Sequence, residues 1–237
     1  KNNLSPAGIA MDVNKGPLEK AQEHIREEKL GGKIATRLGN GLAPLEPGET
    51  DTVIIAGMGG DLICKILKAK PEFLIEGKEF ILQPQSEWFK IRRLLKEYRY
   101  QIEKEWFLKE DGKYYVIIKA EPAWTQPQRL KHQQPSIHEY IKEISDTQVN
   151  QAVSEKDMES IYEQYGKYLI ETKNPVLKEY LEKEITKKES IAAELKQSIK
   201  EIESEELSGK ERGNIAKRQR RYQEIQKEIR DMRKAIG

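Results

Sequence analysis

Apolar positions in the first half of the chain fall in short runs separated by amphipathic stretches. Residues 8–13 (GIAMDV) read as a strand. Gly16-Pro17 opens a helix whose Leu18, Ala21 and Ile25 share a face, and Gly31-Gly32 stops it. Residues 33–38 form a second strand, and residues 52–56 (TVIIA) are apolar throughout, the pattern of a parallel strand covered on both faces. Residues 62–67 fit a helix, 79–83 a strand, and 88–98 a helix with Leu94, Leu95 and Tyr98 on one face. This alternation predicts a parallel, doubly wound sheet. Its end is different: residues 100–108 and 114–120 are strand-like and separated only by Lys109-Glu110-Asp111-Gly112-Lys113, so Asp-Gly predicts an antiparallel hairpin.

Residues 121–136 hold three prolines and four glutamines without periodicity and mark a boundary. Everything after it reads as helix. Ile137, Tyr140, Ile141 and Ile144 repeat at helical spacing, as do Ile161, Tyr165 and Tyr168. Two long arms follow. The first, residues 176–207, aligns Leu181, Ile185, Ile191, Leu195, Ile199 and Ile202; the second aligns Ile215, Arg218, Tyr222, Ile225, Ile229 and Met232. With Ser208-Gly209 as a turn, this predicts an antiparallel coiled-coil hairpin. The expected organisation is an α/β domain over residues 1–121, a linker over 122–136 and a helical domain over 137–237.

Composition agrees with a core joined to something solvated: 35% of residues are charged and 37% hydrophobic. The net charge of +2 hides an asymmetry. Residues 173–209 carry 7 basic and 9 acidic side chains, whereas residues 210–237 carry 10 basic and 4 acidic, a net +6. The cluster Lys217, Arg218, Arg220 and Arg221 suits a phosphate backbone, against the plainer reading of a solvated helix face. One cysteine, Cys64, excludes an internal disulfide and points to a reducing cytoplasm; among apolar neighbours it reads as core. No apolar run is long enough to span a bilayer, and His24, His132 and His138 make no metal-ligand spacing, so neither membrane nor metal is expected.

Candidate chemistry collects at strand ends. Asp12 ends the first strand, where an acidic residue in a doubly wound fold accepts ribose hydroxyls, though a loop or capping aspartate fits equally. Gly39-Asn40-Gly41-Leu42 follows the second strand and allows close backbone approach, with Asn40 able to accept from an adenine amino group. Ala56-Gly57-Met58-Gly59-Gly60 leaves the most apolar strand and enters a helix, so glycines permit positive φ and the helix end offers free N–H groups. It is neither a dinucleotide glycine fingerprint nor a phosphate loop with its Lys-Ser/Thr. Gln83 ends the next strand and can read a base edge or cap a loop.

The strings IIAGMGG, ILQPQ, EDGKYY and YGKYLIETKNPVLKEYL resemble the bacterial TrmK family of tRNA (adenine-22-N1) methyltransferases. The resemblance implies a Rossmann-like class I methyltransferase sheet, S-adenosylmethionine as donor and N1 of an adenine in the tRNA D-arm region as acceptor. By position it assigns Asp12 and Val13 to the cofactor ribose, and Asn40, Gly41 and Leu42 to its adenine, with Asp standing at position 40 in several relatives. Ala56 and Gly57 would complete the cofactor site. Met58, Gly59 and Gly60 would face the target base near Gln83, which must leave its stack. Arg92, Arg93, Lys217, Arg218, Arg220 and Arg221 would hold RNA, in a monomeric cytoplasmic protein.

The family also begins with a strand and an Asp-Ile-Gly-Ser-Asp-His segment, and nothing of that kind precedes Gly8 here. The expectation is a longer natural protein whose first, central strand is missing from this chain, leaving apolar edges. Two rivals stand beside this reading. A dehydrogenase would need a glycine fingerprint and a catalytic His or Lys, and an RNA-binding or scaffolding protein would carry a degenerate sheet.

Overall fold

The computed structural model describes residues 5–123, 153–203 and 209–237. Its elements are β1 (Gly8–Asp12), α1 (Lys15–Glu27), β2 (Ile34–Leu38), β3 (Thr52–Met58), α2 (Gly60–Ala69), α3 (Pro71–Ile75), β4 (Glu79–Pro84), α4 (Trp88–Glu97), β5 (Tyr100–Glu110) and β6 (Lys113–Pro122), then the helices α5 (Val153–Tyr165), α6 (Lys167–Glu171), α7 (Pro175–Glu203) and α8 (Gly209–Ile236). Short α3 has no counterpart in the periodicity, because one turn is too brief to show a repeat. Pro71 starts it, its fixed φ suiting the first helical position. The boundary segment from residue 124 and the repeat at Ile137, Tyr140, Ile141 and Ile144 lie outside the described residues. So do His132, His138, Ser208 and the side chain of Ile202.

Strands form two hydrogen-bonded units. β1 and β2 pair in parallel, with Gly8 opposite Ile34 and Asp12 opposite Leu38. The other unit has the order β3-β4-β6-β5, with β3 and β4 parallel and β6 antiparallel to both neighbours. Asp111 and Gly112 alone join β5 to β6, at φ values of 47° and 75°. Two successive left-handed residues twist the way the strands twist, so Asp-Gly closes a two-residue hairpin. The returning strand β6 lies inside, against β4, and its Val116, Ile118 and Ala120 are fully buried.

One core runs through the molecule. Phe80 and Leu82 of β4 pack with Ile63 and Leu67 of α2, Phe73 and Leu74 of α3, and Ile91, Leu94 and Leu95 of α4. β3 departs from the expectation of cover on both faces. Val53 and Ile55 are buried, but Ile54 is 68% exposed. Beside it, β1 and β3 share no ladder among the described residues, and Val13 and Leu38 are exposed as well. Residues after β2 fasten this unit to the rest. Leu42 and Leu45 enter the core, Lys70 donates to the Leu45 carbonyl at 3.0 Å, and Arg37 forks onto Glu49 with two bonds of 2.6 Å.

The helical part is built on two chain breaks. Gly166, at φ 93°, separates α5 from α6, so Ile161, Tyr165 and Tyr168 do not lie on one continuous helix. Asn174 then caps α7, its side-chain oxygen accepting the N–H groups of Val176 and Leu177 at 3.0 Å each. α7 and α8 run antiparallel, tied by Lys188–Glu228, Arg218–Ser198 and Arg233–Glu189. Leu181, Ile185, Ala192 and Ile199 are buried with Ile215, Ile225, Ile229 and Met232. The seam therefore passes through Ala192 and not Ile191, which is 40% exposed, because seven residues separate Ile185 from Ala192 and Ala192 from Ile199.

The helices dock on the hairpin and α4. Trp88, Phe107, Tyr114 and Tyr180 form a ring cluster with centroids 5.0 to 5.8 Å apart. Beside it Arg92 and Glu105, 4% and 2% exposed, pair at 2.8 Å. Desolvation pushes the Glu105 carboxyl up and the guanidinium pulls it back, with burial prevailing.

Removing one partner of this pair leaves the other uncompensated. Arg92→Ala is expected to cost about 3–5 kcal/mol of unfolding free energy in urea titration. A loss below ~1 kcal/mol, the range of exposed pairs, contradicts the burial. Acid loosens the same junction. Glu179 accepts from Lys109 at 2.6 Å, Lys183 at 2.7 Å and Tyr114 at 3.1 Å, which holds its carboxyl down at about 2. A carboxylate depressed by folding stabilises above its unfolded value of 4.5, and that contribution fades as pH falls from 4.5 to about 2. Denaturant midpoints across this window should fall less steeply for Glu179→Gln; identical slopes would contradict the assignment.

Candidate active site

The strand ends converge on the residues singled out from sequence. Asp12 closes β1, and one of its carboxylate oxygens accepts the Asn14 N–H at 2.7 Å, while the other has no hydrogen bond among the described residues. Its carbonyl accepts the Gly39 N–H at 3.0 Å and so joins the ends of β1 and β2. The turn that follows is pressed against α2. A Cβ on Gly41, whose φ is +54°, would sit 2.9 Å from Ile66. Asn40 stays exposed, but Leu42 is 3% exposed and belongs to the core. Its side chain is therefore unavailable to a ligand, which corrects its assignment as a lining residue. Val13, Ala56 and Gly57 are exposed.

The glycine loop is fastened along its length to the turn after β4. Gly57, at φ +78°, donates its N–H to Gln83 Oε1 at 2.8 Å. The Met58 carbonyl accepts from Gln85 at 2.8 Å, and the Gly60 N–H donates to the Ser86 carbonyl at 3.0 Å. The Asp61 N–H donates to Glu87 Oε2 at 3.1 Å. The N–H groups of Gly60 and Asp61, the first two of α2, are thus already satisfied, so they are not free donors as expected. A Cβ on Gly60 would lie 2.7 Å from both the Ser86 and Glu87 carbonyl oxygens, so only glycine allows the two loops to touch. Gln83 turns out to be the support of this loop: its oxygen is committed, and its buried Nε2 has no partner among the described residues.

Charge around the loop comes from residues the sequence reading did not select. Asp61 bonds to Lys90 at 2.9 Å and Lys65 at 2.8 Å, and these ammonium groups hold its carboxyl at about 2. Glu87, in a left-handed conformation at φ 52°, turns its carboxylate back onto α2. Only the Gln-Ser-Glu turn directly after a strand end hinted at it. Cys64 is half-buried, and burial raises its thiol pKa, so it remains a packing residue. Glu79, Glu103 and Glu121 converge, but Lys119 sits among them at 3.0, 2.6 and 3.2 Å and supplies the cation.

The basic residues divide. Arg92 is buried and fully directed inward, to Glu105 and to the carbonyls of Glu163 and Gln164 at 3.0 Å each. It cannot contact RNA, which corrects its assignment. Arg93 is mostly exposed and pairs with Glu163 at 3.0 Å. Lys217, Arg218, Arg220 and Arg221 all lie exposed on α8. Arg218 bonds to Ser198, and Arg221 to Glu224 and Glu228, while Lys217 and Arg220 have no ion pair among the described residues. The patch is not in contact with the glycine loop. It lies about 18 Å up the helix from Met232, at the docked end, by the helical rise.

Parallel β1-β2 and β3-β4 pairs with helices between them, and a mixed sheet carrying the β5-β6 hairpin, make a Rossmann-like methyltransferase fold. The family profile for TrmK, tRNA (adenine(22)-N(1))-methyltransferase, matches residues 1–164, and the chain belongs to this family. The tRNA (adenine(22)-N(1))-methyltransferase of Bacillus subtilis is 32% identical over 181 residues, covering 63% of this chain and 75% of that protein. The crystal structure of B. subtilis TrmK superimposes with a TM-score of 0.67 at 24% identity, covering 98% of this chain and 82% of that one. TrmK of M. capricolum, solved with S-adenosyl-homocysteine, gives 0.63 at 23% identity, covering 99% and 82%. No helix among the described residues is long and apolar enough to cross a membrane.

The loop contact makes a graded prediction. Gly60→Ala forces backbone apart and is expected to cost about 1–3 kcal/mol. Gly59→Ala meets side-chain oxygens alone, the Ser86 hydroxyl at 3.2 Å and Glu87 Oε2 at 3.9 Å, and should cost less. Urea titration giving the reverse order would contradict the loop contact.

Proposed function

We propose that this chain transfers the methyl group of S-adenosylmethionine to N1 of adenine 22 in tRNA. The observation that carries the reading is the Gly57–Gly60 loop, braced by Gln83 and the turn after β4 in a chain that belongs to the TrmK family. The residues fit the cofactor: Asp12 keeps one carboxylate oxygen open for ribose hydroxyls, and Val13 lies beside it. Asn40 reads the adenine, and Gly41 lets the backbone come close. Ala56 and Gly57 form the exposed floor between the two ends. When bound, S-adenosylmethionine supplies a methyl group already activated by its sulfonium.

Little else is asked of the protein. Adenine N1 carries a lone pair, so no side chain must first remove a proton, and no metal is needed to activate the acceptor. The residues' work is to hold the nitrogen in line with the methyl group, where correct placement contributes most of the rate. Met58 and Gly59 face the target base, and Gln83 keeps the loop in place through Gly57. The base must first leave its stack, which contacts to the phosphate backbone offset.

Those contacts fall to α8. Lys217 and Arg220 lead, with Arg218, Arg221 and Arg93 adding charge. The domain organisation follows: a methyltransferase domain over residues 1–121, a linker over 122–136 and a helical domain over 137–237 whose α7–α8 pair is a coiled coil. The protein acts as a cytoplasmic monomer.

Calorimetric titration with S-adenosylmethionine tests the cofactor half. Asp12→Ala removes a charged acceptor and should raise Kd by about 10-fold or more; an unchanged Kd would remove Asp12 from the site. Reversing charge at both Lys217 and Arg220 should weaken tRNA binding and reduce the salt slope by about 2. An unaltered slope would sink the RNA-holding role of α8.

A further inference from the structure

Helix α4 touches both halves of the proposed mechanism within ten residues. Its start is fixed to the glycine loop. The turn Ser86-Glu87 leads into it, and Lys90 of its first turn bonds to Asp61 of α2 at 2.9 Å. Its other flank is fixed to α5. Arg92 gives its Nε to Glu105 Oε1 at 2.8 Å and its Nη1 to the Glu163 and Gln164 carbonyls, the last turn of α5. Arg93 pairs with the Glu163 carboxylate, and Lys96 with Glu159. Arg92 thus holds the carbonyls of the helix end, which lack helical partners and attract cations, while Arg93 and Lys96 hold carboxylates along the same helix.

Gly166 closes the clamp. At φ 93° it follows α5 directly, and a Cβ there would lie 2.5 Å from Glu105 Oε2 and 2.9 Å from Arg92 Nη2. Both of those atoms are buried without a partner among the described residues. The Tyr-Gly of the YG-x-YL segment is therefore fitted to the ion pair, while the Asn-Pro at its far end starts α7. An apolar contact of the same size can slide or rotate, whereas a forked guanidinium shared between a carboxylate and two carbonyls specifies one orientation.

We propose that α4 is the rigid link that sets the position of the tRNA-holding arm relative to the glycine loop, with Arg92, Glu105 and Gly166 as its positioning residues. The inference rests on the reading that the arm holds tRNA. Arg92 then governs methyl transfer without touching RNA, cofactor or base. Loss of the pair leaves the cofactor site and the basic patch intact but lets their separation vary.

The test places spin labels at Glu72→Cys on α3 and Ala193→Cys on α7, both exposed, in full-length Cys64→Ala protein, and reads the distance distribution between them. Arg92→Met combined with Glu105→Leu replaces the pair by apolar side chains of similar volume. Arg92→Lys, which keeps the charge but loses the fork, serves as a second variant that retains an ion pair in the core. Both are expected to widen the distribution about 2-fold. They should lower kcat for tRNA methylation by about 10-fold or more, the scale of small misplacements, while KM for S-adenosylmethionine stays unchanged. An unchanged distribution in both variants overturns the link itself. A widened distribution with unaltered kcat overturns its bearing on the reaction. The charge reversal at Lys217 and Arg220 reads the arm's grip on tRNA separately, so failure of that reading is seen independently of the distance measurement.

Discussion

A guanidinium closed off from water decides how this molecule is assembled. Arg92 sits where the α4 face, the β5 strand and the end of α5 meet, with one bond to β5 and two to the carbonyls that end α5. Ionic groups in such a place are held at a cost in desolvation, and their return is geometric definition more than net stability. Around the pair the aromatic cluster of Trp88, Phe107, Tyr114 and Tyr180 supplies the non-directional attraction. One interaction brings the helical part to the sheet, and the other fixes its angle.

The same division appears at the glycine loop. Here no large side chain contributes, and two stretches of backbone approach until only hydrogen fits between them at Gly60. Gln83 and Glu87 satisfy the N–H groups this approach would otherwise strand. The loop is preorganised by what lies behind it, which suits a reaction that asks for placement and not for acid or base. Asp12, on the other hydrogen-bonded unit, is joined to this arrangement through the Gly39 turn and its contact with α2.

Sequence reading reached what local chemistry controls. Asp111-Gly112 announced the hairpin because two left-handed residues admit few alternatives, and the spacing of apolar residues located α2, α4 and the two long arms. It failed where a residue's meaning depends on a distant partner. Arg92 looked like a phosphate ligand because a sequence displays charge and not burial. The available signal was Arg92 within the apolar stripe of Ile91, Leu94 and Leu95, together with Glu105 on the strand face that carries Phe107. Leu42 was legible as part of the turn after β2 but not as the anchor of that turn. Ile191 and Ala192 differ by a single position, and only the partner helix decides which one faces the seam.

The central claim is methyl transfer to one nitrogen of one base. The most direct test incubates the protein with unmodified tRNA and S-adenosylmethionine, digests the RNA and identifies the methylated nucleosides by mass spectrometry. The account predicts N1-methyladenosine, absent when adenine 22 is replaced by guanine and absent when the cofactor is omitted. Methylation of another nucleoside, or N1-methyladenosine that persists after adenine 22 is replaced, would contradict it.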